Sequence, residues 1–423
     1  VRRNWIYLLI LAIAIVEALA TGNRIFFILV YLGVALWILS AIWSWVNLIG
    51  ISVNRQVRTQ RTQVGGLAEE RVVVRNNSIL PKLWVEVRDH SELAGHLASY
   101  VVPNLGARKQ RGWTVRTLCR ERGRFTLGPI TLRSGDPFGF FNRTRHVAKT
   151  VSLIVYPATV ELPHFALPLG ELPGGGARRQ RTHYITTNVA GVRDYQPGDS
   201  FNRIHWLSTA RTGRLIVKEF ELDPTADIWI FLDMNRQVQV DNRPPTPERD
   251  EDMPPAFWEQ PEVFELPQST EEYGVTIAAS LSKHFLARDR AVGLLAYGQT
   301  RELLQSDRGE RQLNKILETL AVIHAEGRMP IAEILASEGT RFGRNTTLIV
   351  VSSSPDMRWV NALRNLARRG IRGVGVVIDP ASFGSRMDVG PVLDSLNMSG
   401  LLSYRVRYGE SIADVLSRRA MEF

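Results

Sequence analysis

Between Ile25 and Ile51 the chain carries no charged side chain. In helical form this run exceeds the roughly 20 apolar residues that cross the hydrocarbon core of a bilayer. A helix of this kind is stable only where its whole circumference meets apolar surroundings, which restricts what the rest of the chain can be. A shorter apolar stretch, Trp5 to Ala20, precedes it, with Glu17 as its single charge near the far end. Thr21-Gly22-Asn23-Arg24 between the two reads as a tight turn. Residues 1–51 therefore read as a transmembrane helical hairpin. A cleaved signal peptide would account for the first segment but not the longer second one. A hairpin buried in a soluble protein would need a large partner around it. Trp5, Tyr7, Trp43 and Trp45 fall at the ends assigned to the inner leaflet, as an aromatic belt requires. Arg2 and Arg3 precede the first segment, and Arg55, Arg58 and Arg61 follow the second, against Arg24 alone in the turn. By the positive-inside rule both termini and the bulk of the chain face the cytoplasm.

The net charge of +10 and a pI near 10.0 favour anionic partners. For a membrane-tethered chain, membrane lipid is the economical one. No recognised nucleic-acid module is present, so nucleic acid is not expected. Cys119 is the single cysteine. It excludes an internal disulfide and any Cys/His metal spacing, and reads as a core residue of a strand.

Residues 52–165 are rich in short runs of period two. Arg71–Arg75, Leu83–Arg88, Val101-Val102, Trp113–Leu118, Gly123–Leu127, Ile130–Arg133 and Ser152–Tyr156 alternate between Gly, Pro and Asn breaks. The pattern predicts a small antiparallel β-sandwich that spaces the membrane from the C-terminal part of the chain. Asp136-Pro137-Phe138-Gly139 reads as a turn whose Phe plugs the core.

Residues 166–224 form a basic, glycine-punctuated centre. Gly174-Gly175-Gly176 precedes Arg178, Arg179 and Arg181, but no Gly-Lys-Ser/Thr comes after it, so the stretch reads as a linker and not a phosphate loop. Gln196-Pro197-Gly198-Asp199 is a tight turn. Around it, charged residues interleave with Tyr195, Ile204 and Trp206, the composition of a partner-binding face. The residues singled out are Arg193, Asp194, Tyr195, Pro197, Gly198, Asp199, Arg203, Trp206, Arg211 and Lys218. Asp199, Ser200 and His205 have the side chains of a nucleophilic hydrolase, although nothing in their spacing brings them within reach of one another.

This central run, with Ile204, Ala210 and Val217 included, resembles the signature of the bacterial and archaeal family known as domain of unknown function 58. Asp136–Gly139, the paired N-terminal helices and the order of segments are similar to that family too. At three positions the chain departs from the family's usual pattern: His205 and Ser200 stand where Asp is common, and Thr209 where Ser is common. The resemblance implies a protein partner, an AAA+ ATPase of the MoxR type, in the maturation of other complexes.

Residues 225–423 alternate strand and helix. Asp227–Asp233, Val292–Tyr297, Thr347–Ser352, Gly373–Ile378 and Leu401–Arg405 read as strands. Ser269–Arg288 (Ser269 and Glu272 as a capping box), Gln312–Ile323, a segment begun by Ser354-Pro355, and Glu410–Arg419 read as helices. The order predicts a mainly parallel sheet covered on both faces, and it looks like a von Willebrand factor A-type domain. In that fold the resemblance implies a Mg²⁺ site at the carboxyl ends of the strands. Here its residues are reduced to Asp233, Asn235 and Ser353, with Gly327-Arg328-Met329 in place of a Thr loop. A degenerate site of this kind has little charge to offset Mg²⁺ dehydration, and the residue-level alternative is that Asp233 caps local backbone groups. Residues 236–268 are rich in Pro and acids and read as a mobile insertion at the rim. The chain as a whole reads as a membrane-anchored scaffold or adaptor without a catalytic centre. A hydrolase using Asp199, Ser200 and His205 and a metal-dependent binder centred on Asp233 are the alternatives.

Overall fold

The computed structural model describes residues 2–163, 165, 189–196, 204–220, 227–243, 265–343 and 346–417. Their contacts divide into two compact units. The described residues of Val1–Thr159, Arg243–Pro267 and Lys315–Ile323 form one, and those of Val160–Asn242, Gln268–Asn314 and His324–Phe423 the other.

The first unit opens with helices α1 (Arg2–Thr21) and α2 (Arg24–Asn47). Asn23 caps α2 by accepting the Ile25 N–H at 3.0 Å. The helices lie against each other: the Tyr7 hydroxyl donates to the Gly33 carbonyl, and a side chain at Gly33 would meet Leu11 at 2.8 Å. Polarity in α2 is inverted relative to a helix in water. Its buried residues are Ser40, Ser44 and Asn47, while Ile28, Leu32 and Leu39 are exposed. Of the two helices, α2 is long and apolar enough to cross a membrane; the apolar part of α1, Trp5–Thr21, is shorter.

Ten strands come next: β1 (Ile51–Val57), β2 (Arg61–Gln63), β3 (Leu67–Asn76), β4 (Lys82–Asp89) and β5 (Tyr100–Leu105), then β6 (Gln110–Leu118), β7 (Gly123–Leu127), β8 (Ile130–Gly135), β9 (Asn142–Val147) and β10 (Val151–Tyr156). They form three sheets, ordered β1-β3-β6, β2-β10-β7 and β5-β4-β8-β9. The alternation read from sequence sets which side chains face inward: Ala68, Glu70, Val72, Val74 and Asn76 of β3 are all buried. One departure from the antiparallel expectation is the parallel pairing of β10 with β2. Cys119 is buried, one residue past the end of β6, and burial pushes its thiol up to about 11.

The end of α2 is seated on this unit. Asn47 donates to Ser134 Oγ at 2.6 Å and to the Gly135 carbonyl at 2.9 Å. Lys82, buried in β4, donates to the Val46 carbonyl at 2.8 Å, and Arg145 donates to the carbonyls of Leu48 and Ile51. These cations add donors around the C-terminal end of the helix and complement its negative end. Burial lowers the Lys82 pKa below its ordinary value.

Phe138 does not plug the core. It is 50% exposed, because the turn is folded around Asp136 instead. The buried Asp136 carboxylate accepts the N–H groups of Phe138 at 2.9 Å and Phe141 at 2.6 Å. The ring of Phe138 stacks on Phe140, which meets Tyr7 at 4.6 Å between centroids, and Phe141 meets Trp37 at 5.3 Å.

A second buried polar feature lies among β1, β3 and β4. Arg55 sits between Glu70, at 3.0 Å, and Asp89, and His96 meets Glu70 at 3.1 Å and Thr117 at 2.8 Å. The ionic side chains in this network are at most 2% exposed. Glu70, Asp89 and His96 are close enough to hold a metal ion, but the guanidinium already takes the cation position between the carboxylates.

In the second unit, β11 (Val189–Asp194) pairs antiparallel with β12 (Ile216–Phe220), with α3 (Trp206–Thr212) between them. After them come β13 (Asp227–Leu232), α4 (Thr270–Leu286), β14 (Val292–Tyr297), β15 (Arg301–Asp307), α5 (Gly309–Val322, whose residues from Lys315 on belong to the first unit) and α6 (Ile331–Glu338). The last elements are β16 (Thr346–Ser352), α7 (Met357–Arg368), β17 (Arg372–Ile378), α8 (Gly390–Met398), β18 (Leu402–Val406) and α9 (Ile412–Ser417). Six strands form one sheet in the order β15-β14-β13-β16-β17-β18, parallel except for the edge strand β15. Phe231 and Val350 face Trp359, Leu363 and Leu335 on one side. On the other, Leu232, Val351 and Ile378 face α4 near Gly274. A sheet covered on both faces needs the near-continuous apolar strands seen here.

Two local expectations change. Ser269 occupies the N-cap of α4 but makes no capping hydrogen bond; Thr270 Oγ1 bonds Gln239 instead, at 2.6 Å. Helix α7 starts after Asp356, whose carboxylate takes the Arg358 N–H at 2.9 Å, and not at Ser354-Pro355.

Replacing Arg55 with Met leaves two buried carboxylates facing each other. The expected cost is about 3–5 kcal/mol of stability, read from the denaturant midpoint of the full chain in detergent. A loss below about 1 kcal/mol would show that these charges behave as if solvated.

Candidate functional site

Two places gather the residues singled out by the sequence. The first is the pairing of β11 with β12 around α3. Asp194 stands opposite Ile216, Arg193 opposite Val217 and Val192 opposite Lys218. The Tyr195 N–H donates to the Leu215 carbonyl at 2.9 Å, and His205 N–H to that of Ile216 at 2.7 Å. Arg193, Asp194, Tyr195, Trp206, Arg211 and Lys218 thus belong to one small supersecondary unit. Pro197, Gly198, Asp199, Ser200 and Arg203 lie outside the described residues, as does the glycine-arginine run from 174 to 181.

His205 has a local role in this unit. Its Nδ1 accepts the Ser208 N–H at 3.2 Å and lies 2.7 Å from Ser208 Oγ, so the imidazole is the N-cap of α3. Thr209 Oγ1 accepts the Ile216 N–H at 3.1 Å, tying the helix to β12. Gly213, with φ +66°, closes the helix in the left-handed conformation. The scaffold leaves Trp206 and Leu207 at 65% and 62% exposure, with Arg211 exposed in the last turn. Leu207 carries no polar or charged group and was not legible as a site residue.

The second place is the carboxyl edge of the six-stranded sheet. Strands β13 and β16 lie side by side there, with chain connections leaving in opposite directions, which is the switch point where open α/β sheets bind ligands. Asp233 comes directly after β13 and is 1% exposed. Its Oδ2 accepts the Ser352 hydroxyl at 2.6 Å and its Oδ1 the Asn235 N–H at 3.1 Å. Asn235 Oδ1 accepts the Gln237 N–H at 3.0 Å, and Ser353 Oγ donates to the Val238 carbonyl at 2.8 Å. Ser353 therefore does not serve Asp233; Ser352 does. The register that pairs Leu232 with Val351 puts Asp233 beside Ser352, a relation hidden until the strands are aligned.

Gly327 stands where the Thr loop is expected. It bridges Asn235, and a side chain there would meet the Tyr297 carbonyl at 2.0 Å, so only glycine fits. The insertion read as mobile from residue 236 is held at both described ends: Asp241 bridges Ser269, and the Asn242 N–H donates to the Gln268 carbonyl at 2.9 Å. Residues 244–264 lie outside the described residues.

The residues at this edge do not fit Mg²⁺. The ion asks for a near-octahedral set of hard oxygens. Here the one carboxylate and both of its expected helpers, Asn235 and Ser353, already hold protein hydrogen bonds.

Fold and site together define a multidomain protein. An apolar N-terminal helix precedes a β-rich unit, and a doubly wound α/β unit carries a hydrogen-bonded carboxylate at its switch point. The family described as "Protein of unknown function DUF58" matches residues 191–244, the β11–α3–β12 segment and the strand after it. Over that segment the chain is similar to this family. It is also similar to the "Uncharacterized protein YeaD" of Bacillus subtilis (strain 168), at 23% identity over 217 residues, 51% of this chain and 47% of that one. The match spans about half the length of that relative. Among solved structures, 25% of the chain is similar to the CARDB domain of the PF1109 protein from Pyrococcus furiosus, at 16% identity over 91% of that chain with a TM-score of 0.19. The same share is similar to a beta-glucosidase from Listeria innocua, at 11% identity over 16% of that chain with a TM-score of 0.18. Likenesses of this size carry no argument about fold or function.

Burial pushes Asp233 up to about 6, against the opposing hydrogen bonds from Ser352 and Asn235. The unfolded value is near 3.9, so the folded chain binds this proton more tightly. Stability from this group therefore falls as pH rises from about 4 to about 6, by on the order of 2–3 kcal/mol. Asp233→Asn removes that slope. Its unfolding free energy should gain on the wild type across this pH window, and parallel curves would refute the assignment. Millimolar Mg²⁺ is expected to leave the melting temperature unchanged, since an ion that binds the folded state raises it.

Proposed function

We propose that this protein is a membrane-anchored adaptor whose DUF58 segment docks a protein partner on the cytoplasmic side. The observation that carries the reading is the exposure of Trp206 and Leu207 on a framework rigid enough to hold them out. An exposed tryptophan on a short helix that also carries an exposed arginine is the composition of an interface hot spot. Family resemblance points to an AAA+ ATPase of the MoxR type as the partner. The doubly wound sheet with an antiparallel edge strand suits a von Willebrand factor A-like domain, here used for protein contacts and not for a metal. A hydrolase built on Asp199, Ser200 and His205 is less well supported, because His205 spends Nδ1 on its helix cap.

The anchor in this reading is the pair α1 and α2, both crossing the membrane. Helix α2, of 24 residues, is about 36 Å long against a hydrocarbon core of about 30 Å. Basic residues at both outer ends favour a cytoplasmic bulk.

Trp206→Ala should weaken capture of the ATPase by at least about 30-fold, equivalent to a hot-spot loss of about 2 kcal/mol, with the melting temperature unchanged. The measurement is co-purification of the two proteins from detergent-solubilised membranes. Undiminished capture by both Trp206→Ala and Arg211→Ala would overturn the docking surface.

A further inference from the structure

The turn between β8 and β9 has features that a linker on a water-facing sheet does not need. Within four residues it carries Phe138, Phe140 and Phe141, and its one charged side chain, Asp136, is buried and spent on the N–H groups of Phe138 and Phe141. The loop also closes on itself through Asp136 N–H to the Phe141 carbonyl at 3.2 Å and Gly139 N–H to the Asp136 carbonyl at 3.3 Å. The N–H groups of Asp136, Phe138, Gly139 and Phe141 are thus paired within the loop, which lowers the cost of placing its backbone in hydrocarbon.

Position along α2 gives the depth. The base of the loop, Ser134 and Gly135, holds Asn47 at the end of the helix. Its far side, Phe141, meets Trp37. Trp37 precedes Asn47 by ten residues, about 15 Å along the helix axis. The loop therefore climbs alongside the apolar helix instead of ending where the helix leaves the β-rich unit. Phe140 rests on Tyr7 of α1, and Phe138, stacked on it, is half exposed. Arg143, exposed just past the loop, stands where a phosphate headgroup lies if the rings are in acyl chains.

We propose that Pro137–Phe141 is an aromatic wedge inserted among the phospholipid acyl chains beside α1 and α2, fixing how high the β-rich unit rides on the bilayer. The inference rests on the reading that α2 spans a membrane. It names lipid, and not a partner's helix, as what covers Phe138, because the rings continue the exposed apolar surface of α2.

The test is depth measurement by spin label on the full chain, reconstituted alone into phosphatidylcholine–phosphatidylglycerol vesicles. Labels go on Phe138→Cys, on Pro137→Cys (which keeps all three rings) and on Leu32→Cys in α2. Cys119 is fully buried, and the unsubstituted chain checks that it takes no label. The expected result is that labels at 137 or 138 and at 32 relax more with oxygen than with a water-soluble nickel complex. Water-like accessibility at both 137 and 138 with a lipid signature at 32 overturns the wedge alone. Water-like accessibility at all three overturns the spanning helix, and the wedge with it.

Discussion

The last turn of α2 is the constraint around which the first unit is organised. Helix α2 carries apolar residues outward and Ser40, Ser44 and Asn47 inward, and the negative end of its dipole favours cations beside it. The β-rich unit supplies Lys82 and Arg145 there and accepts the Asn47 amide on Ser134 and Gly135. Lys82 reaches its carbonyl only because it is buried in β4, and Ser134 and Gly135 receive Asn47 only because β8 runs beside it. Pairing in that sheet and the position of the helix therefore depend on each other.

The α/β unit depends on a different economy. Its central strands are apolar on both faces, so their polar residues are confined to the ends. That confinement collects Asp233, Ser352 and Asp379 along one edge of the sheet. Each is engaged there: Asp379 takes Arg405 at 2.7 Å, as Asp233 takes Ser352.

Much of this was legible in the sequence where burial and periodicity coincide. The apolar strands Asp227–Leu232 and Thr346–Ser352 and the alternating β3 were found because their environment dictates their composition. Two edge strands, β9 and β15, were not. The run Asn142-Arg-Thr-Arg-His-Val147 has no apolar alternation, and becomes β9 only through its register with β8. Strand β15 is likewise a partly exposed edge. The site was legible in outline only. Charge and aromatic content marked Trp206 and Arg211, but the choice between Ser352 and Ser353 turns on one residue of strand register, and alternate residues point to opposite faces. Phe138 was misassigned for a related reason: an aromatic in a tight turn reads as core unless the neighbouring surface is known to be apolar.

The burial of Asp233 constrains how the sheet edge can recognise anything. A carboxylate closed off from solvent meets a visitor only if the residues around it move aside. A visitor to this rim must therefore be read by contour and by main-chain groups, and discrimination among visitors falls to the loops that frame the crevice.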